Sequence, residues 1–216
     1  MNKKSILLFD MDGTIADTDP MLLATFNILY DRYKNGQRKT KEEVYYFSGP
    51  PIRDTLLKEF PNQDQQLMYD EFYTISKSLY PTHIFLYPNE KEVLLGFKKN
   101  GYKLGVVTNK QSKMAFYVLE LLGLQDIFDV VIGFDDVNIG KPNPEGIFKA
   151  LDILGGSTNE TIYVGDNEID YITATNAGVR CALVSDGPRV LNPKLKPFIK
   201  FNSYLELKEK IYGQDL

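Results

Sequence analysis

Short, wholly apolar runs recur along this chain, and each ends in polar or glycine residues. Ile6-Leu7-Leu8-Phe9 leads into Asp10, Leu104-Gly105-Val106-Val107 into Thr108-Asn109, and Val130-Val131-Ile132 into Gly133. Ile162-Tyr163-Val164 leads into Gly165-Asp166, and Cys181-Ala182-Leu183-Val184 into Ser185-Asp186-Gly187. Runs without a polar face predict strands covered on both sides, the habit of parallel sheets. Helical periodicity fills the gaps between them. Glu90 to Asn100 stops before Gly101, and Ser112 to Leu122 stops before Gly123. Pro144 to Leu154 starts on a proline and ends at Gly155-Gly156, while Glu168 to Ala177 ends at Gly178. Proline at a helix start and glycine just past its end are the expected punctuation. Strand and helix alternate, which predicts a doubly wound, Rossmann-like α/β core with a parallel sheet.

The stretch from Asp17 to Tyr87 has a different pattern. Met21 to Tyr33, Pro51 to Phe60 and Gln65 to Leu79 read as helices, and the only strand-like run is the short Ile84-Phe85-Leu86. This stretch follows the first strand directly. It is read as an α-helical domain, residues 17–87, inserted into a core made of residues 1–16 and 88–216. Its aromatics Tyr30, Tyr33, Phe72 and Tyr73 recur at helical spacing and are read as core.

The chain has 216 residues, 43% of them hydrophobic and 25% charged, an ordinary globular balance. A net charge of -4 with interleaved signs supplies no general attraction to nucleic-acid phosphates. No apolar stretch approaches the roughly 18 residues of a membrane span, and the polar N-terminus lacks a signal-peptide core. Cys181 is the sole cysteine, so it forms neither an internal disulfide nor a cysteine-based zinc site, and it is read as a small buried hydrophobe. Together these features predict a cytoplasmic protein with no nucleic-acid or membrane partner. His83, the sole histidine, is read as incidental. Oligomeric state is not legible.

In an open parallel sheet, ligands bind beyond the carboxyl ends of the strands. Asp10, Thr108 and Asp166 each follow a predicted strand, so they are expected at one edge. Asp10 and Asp12 are two residues apart and face the same side in extended backbone, with Met11 pointing away. Two such carboxylates repel unless a cation lies between them, and an oxygen-liganded magnesium ion suits the pair. Thr108-Asn109 offers a hydroxyl and backbone amides leading into a helix, a phosphate cradle. Lys141 stands in a loop stiffened by Pro142 and Pro144, and Asp166 and Asp170 sit one helical turn apart.

These four segments occur in the order seen in the haloacid dehalogenase superfamily of phosphohydrolases: Asp10-Met11-Asp12-Gly13-Thr14, Thr108-Asn109, Lys141 before Pro142, and Gly165-Asp166 with Asp170. The chain resembles that family nearly end to end, with the helical insert in the place of the family's cap domain. The resemblance implies a Mg2+-dependent phosphatase that hydrolyses a small phosphorylated metabolite through a phosphorylated Asp10. It implies Asp12 as general acid and base, and Thr108, Asn109 and Lys141 as holders of the phosphoryl oxygens. It places the metal on Asp10, the backbone carbonyl of Asp12 and Asp166, with Asp170 in support. The segment Ser48-Gly49-Pro50-Pro51-Ile52-Arg53 is similar to the cap loop of phosphoglycolate phosphatase-like enzymes and of bacterial pyrophosphatases, which marks Arg53 as the expected specificity residue. The sequence does not separate those two activities. A β-phosphoglucomutase-like sugar phosphomutase would use the same Asp10 and Asp12. A receiver-type phosphoacceptor would lack the helical insert.

Overall fold

The computed structural model describes residues 5–185 and 191–213, so Asp186 and Gly187 lie outside the described residues. Six parallel strands form one sheet in the order β3-β2-β1-β4-β5-β6. They are β1 (Ile6–Phe9), β2 (Lys103–Val107), β3 (Val130–Ile132), β4 (Thr161–Gly165), β5 (Arg180–Val184) and β6 (Ile199–Phe201). The chain moves outward from β1 in one direction, then returns to β4 on its other side. That reversal leaves a crevice at the carboxyl ends of β1 and β4.

β1 is central, and its alternation builds both layers of the core. Leu7 and Phe9 pack with α5 (Glu90–Lys99), α6 (Ser112–Leu121) and α9 (Tyr204–Tyr212), while Ile6 and Leu8 pack with α7 (Glu145–Leu154) and α8 (Glu168–Ala177). Successive side chains of a strand point to opposite faces, so four consecutive apolar residues serve two cores. Tight packing explains Gly105 in β2. A Cβ there would stand 2.7 Å from the side chains of both Leu8 and Val130.

Residues 17–87 carry α1 (Asp19–Tyr33), α2 (Lys41–Tyr45), α3 (Ile52–Glu59) and α4 (Gln65–His83). They bury an apolar cluster of their own around Phe26, Leu29, Tyr30, Leu56, Phe60 and Met68. The strand expected at Ile84-Phe85-Leu86 is an isolated antiparallel bridge between Phe85 and Asp17. That single rung ties the two ends of the segment together, with no neighbouring strand to extend it. Helix α4 runs past Leu79 to His83 despite Pro81, which removes one hydrogen bond in the last turn and leaves the rest intact. Among the described residues, α2, β6 and α9 have no counterpart in the sequence reading. α2 is five residues long, held by a capping box between Thr40 and Glu43. β6 is three residues with an exposed Lys200 at its centre, too short for periodicity to register.

Candidate active site

The register of the sheet sets the site. Phe9 pairs with Val106 on one side and Val164 on the other, and the Asp10 amide donates to the Val164 carbonyl at 2.9 Å. Asp10, Thr108 and Asp166 therefore leave three adjacent strands at one edge. Beyond Asp10 the chain closes a tight turn. The amides of Ile15 and Ala16 both donate to the Met11 carbonyl at 2.9 Å, and Gly13 adopts φ 85°, a left-handed conformation open to glycine at little cost. Met11 is fully buried in the core, which turns Asp10 and Asp12 together toward the cavity.

Carboxylate oxygens of Asp10, Asp166 and Asp170 lie within 4.8 Å of one another, all buried. Three hard oxygen donors at that spacing fit a divalent cation. Lys141 Nζ stands 2.7 Å from Asp10 Oδ1 and 2.7 Å from Asp170 Oδ1, and it donates to the Tyr163 hydroxyl at 3.1 Å. Burial works against the Lys141 charge, yet Asp10 and Asp170 hold its pKa well above the ordinary lysine value. The Asp10 carboxyl is raised as well, which favours its neutral form. Burial lifts it to about 6; Lys141 pulls downward, and Asp170 and Asp12 add to the rise.

Asp170 organises its surroundings through both oxygens. Oδ1 receives Lys141, and Oδ2 accepts the amides of Asp166 at 3.0 Å and Asn167 at 3.2 Å. Its closeness to β4 depends on Gly165, where a Cβ would stand 2.4 Å from the Asp170 carboxyl group. Asn167 caps α8 by accepting from the Ile169 and Asp170 amides, so the Asp166 loop is held at the helix start.

Asn109 locks two loops. Its Oδ1 accepts the Lys141 amide at 2.8 Å, and its Nδ2 donates to the carbonyls of Lys141 at 3.1 Å and Gly49 at 2.9 Å. Gly49 thereby brings the helical segment onto the sheet edge. Its φ is +105°, and a Cβ there would meet Asn167 Nδ2 at 2.8 Å. Thr108 is buried, and its hydroxyl accepts the Lys110 amide at 3.2 Å. Arg53 sits in the first turn of α3, with its guanidinium 3.8 Å from the Tyr69 ring centre.

Several residues of the site were not read from the sequence. Lys110 Nζ bonds Asp12 Oδ2 and the Tyr80 hydroxyl, each at 2.9 Å. Its place directly after Thr108-Asn109 was the available signal. Tyr163 gave none, because an aromatic inside an apolar strand looks like any core residue. Phe72 and Tyr73, read as core, pack beside the apolar clusters and also line a cavity of about 290 Å³ that opens on Asp10 and Asp12. Among the described residues His83 is not part of that lining, and Cys181 is buried.

A model of the haloacid dehalogenase-like hydrolase family matches residues 7–184. The pyrophosphatase PpaX of Halalkalibacterium halodurans is 34% identical over 181 residues, 82% of this chain and 82% of that protein. PpaX of Bacillus pumilus is 35% identical over 189 residues, 86% of each. Two solved structures share the fold. A protein named as a predicted phosphoglycolate phosphatase from Haemophilus somnus superposes with a TM-score of 0.84 at 22% identity, over 98% of this chain and 99% of that one. A predicted phosphatase from Clostridium acetobutylicum also reaches 0.84, at 23% identity over 99% of this chain and 100% of that one. The chain belongs to the haloacid dehalogenase-like hydrolase family, and within it to the phosphatases.

Proposed function

We propose that this enzyme is a Mg2+-dependent phosphatase that releases phosphate from a small phosphorylated metabolite through a phosphorylated Asp10. The observation that carries this reading is the division of labour between two neighbouring carboxylates. Asp10 lies against Lys141 and within the carboxylate trio, whereas Asp12 stands outside the trio with Oδ2 on Lys110 and Oδ1 buried without a partner. One is placed among groups that handle charge. The other keeps an oxygen for a proton.

In the first step Asp10 attacks phosphorus, and the bond to the leaving oxygen breaks as Asp12 delivers its proton to that oxygen. In the second step Asp12 takes a proton from water, and the resulting hydroxide displaces Asp10 and frees inorganic phosphate. Thr108, the Asn109 amide and Lys141 hold the phosphoryl oxygens and offset their charge in both transition states. Asp10, the Asp12 carbonyl and Asp166 would hold magnesium, which supplies further positive charge to the phosphoryl group. Asp170 supports that site through Lys141 and the Asp166 amide. Lysine on one Asp10 oxygen leaves the second to be aimed at phosphorus.

Residues 17–87 are read as the cap, closing over the cavity and selecting the substrate, with 1–16 and 88–216 as the core. The separate apolar cluster of α1–α4 and the hydrogen bond from Asn109 to Gly49 support that division. The names of the curated relatives make inorganic pyrophosphate a second substrate reading. No helix among the described residues is long and apolar enough to cross a membrane. With the lone buried cysteine, a cytoplasmic setting is the reading we favour.

The test is phosphate release from a panel of phosphoglycolate, pyrophosphate, sugar phosphates and nucleotides, with magnesium and with excess chelator. Turnover should vanish on chelation and return with Mg2+. Asp10→Asn should lose at least about a thousandfold in kcat with its circular dichroism unchanged. Near-normal turnover in that variant would remove Asp10 as the nucleophile.

A further inference from the structure

The cavity above Asp10 and Asp12 is lined by several aromatic rings. Tyr69, Phe72, Tyr73 and Tyr80 all line it, and all come from α4 at spacings that place them on one helix face. Ser76, on the same face, also lines it and leaves room between the rings. Phe47 extends the apolar wall from the loop before α3. The volume of about 290 Å³ is close to the lower bound of metabolite-sized pockets, roughly 300 Å³, and is generous for a bare phosphate.

Charge in this wall is sparse. Lys110 is committed to Asp12, and Arg53 is the other cation among the lining residues, with acidic Asp54 next to it in sequence. A leaving group that is itself a phosphate carries several charges and calls for several cationic donors. A flat apolar group calls for what is present. Arg53 adds to this. Its guanidinium lies 3.8 Å from the Tyr69 ring centre and makes one long hydrogen bond, 3.4 Å, to Gln66. The stacked pair presents a planar, weakly hydrated platform onto which another ring can be laid.

We propose that the substrate is a phosphomonoester whose leaving group carries an aromatic ring, seated between the α4 rings and the Arg53–Tyr69 stack. This rests on the phosphatase reading of the same site and narrows its substrate class. The ring binds across the cavity while the ester oxygen reaches Asp12, so the ring acts as a handle and takes no part in the bond that breaks.

Two matched pairs of substrates test it on the whole chain with Mg2+: benzyl against ethyl phosphate, and nucleoside 5′-monophosphates against ribose 5-phosphate. Within each pair the leaving oxygen is an ordinary primary alkoxide, so a difference reports the ring and not the chemistry. The ring-bearing member should have a kcat/KM higher by about tenfold or more. Tyr69→Ala should shrink that ratio toward one, and Tyr69→Phe should keep most of it. Benzylphosphonate should also inhibit the wild type more tightly than ethylphosphonate, a readout that needs no variant to fold. Ratios near one, or pyrophosphate or phosphoglycolate turned over better than every ring-bearing ester, would overturn the ring while leaving the phosphatase standing. Absence of Mg2+-dependent phosphate release from every compound tested, with equal binding of the two phosphonates in calorimetry, would bring down both.

Discussion

Lys110 Nζ stands 2.9 Å from Asp12 Oδ2 and 2.9 Å from the Tyr80 hydroxyl, so one ammonium joins the second motif carboxylate to helix α4. Burial opposes the Lys110 charge, but Asp12 and Tyr80 hold its pKa above the ordinary lysine value. The contact fixes one Asp12 oxygen and leaves the other, which is buried, without a partner. Lys110→Met should therefore lower kcat by roughly 10- to 100-fold, part of the 10²- to 10⁴-fold that acid–base catalysis supplies. KM should change less. Steady-state kinetics on the best ester of the panel decides it, and an unchanged kcat would mean that Asp12 needs no such anchor.

Gly165 is required by the carboxyl group behind it. A Cβ at that position would overlap Asp170 at 2.4 Å, and Asp170 holds both Lys141 and the Asp166 amide. Gly165→Ala should destabilise the fold by about 1–3 kcal/mol and lower activity beyond the loss of folded protein. Thermal melts paired with kcat per folded molecule measure both effects. A variant with wild-type stability and turnover would show that the loop has slack.

Glu90 is fully buried at the start of α5, with Oε2 accepting the Tyr87 amide at 2.9 Å and Oε1 unpartnered. Burial raises its carboxyl from the ordinary 4.5 to about 9, against a small downward pull from the Tyr87 amide. The folded state thus keeps a proton that the unfolded chain releases above about pH 4.5, so stability is full below that value and falls as pH rises toward about 9. Glu90→Gln cannot ionise and should lose less stability over the same window, by an amount on the order of a few kcal/mol at the alkaline end. Melting temperatures of both proteins from pH 5 to pH 9 give the comparison. Parallel curves would place the ionised carboxylate in the fold without penalty.

Arg53 contributes from the helical segment and touches none of the groups assigned to bond making. Arg53→Ala should raise KM for the preferred ester by about tenfold and leave kcat within about threefold, the pattern of lost uniform binding. A fall in kcat with KM unchanged would move Arg53 into transition-state stabilisation.

Much of this enzyme was legible in one dimension because strand ends in a parallel sheet are marked by local sequence. A four-residue apolar run followed by Asp10-Met11-Asp12-Gly13 needs no distant partner to be recognised as a strand and turn, and the same holds for Val107-Thr108-Asn109 and Val164-Gly165-Asp166. The helices ending at Gly101, Gly123, Gly155 and Gly178 were equally local, since a glycine stop acts on its own turn. Residues whose roles depend on other segments were not legible in that way. Lys110 became an anchor because α4 brings Tyr80 beside it, and Tyr163 joined the site because the loop after β3 brings Lys141 to its hydroxyl. Phe72 and Tyr73 carry the same helical spacing whether they face a core or a cavity, so periodicity reports the side they occupy and never what that side meets. The sequence by itself determined the order of the strands' ends and the chemistry they bear. Tertiary packing alone decided which ammonium meets which carboxylate, and that the wall above them is made of rings, because those contacts join residues whose positions along the chain carry no mutual signal.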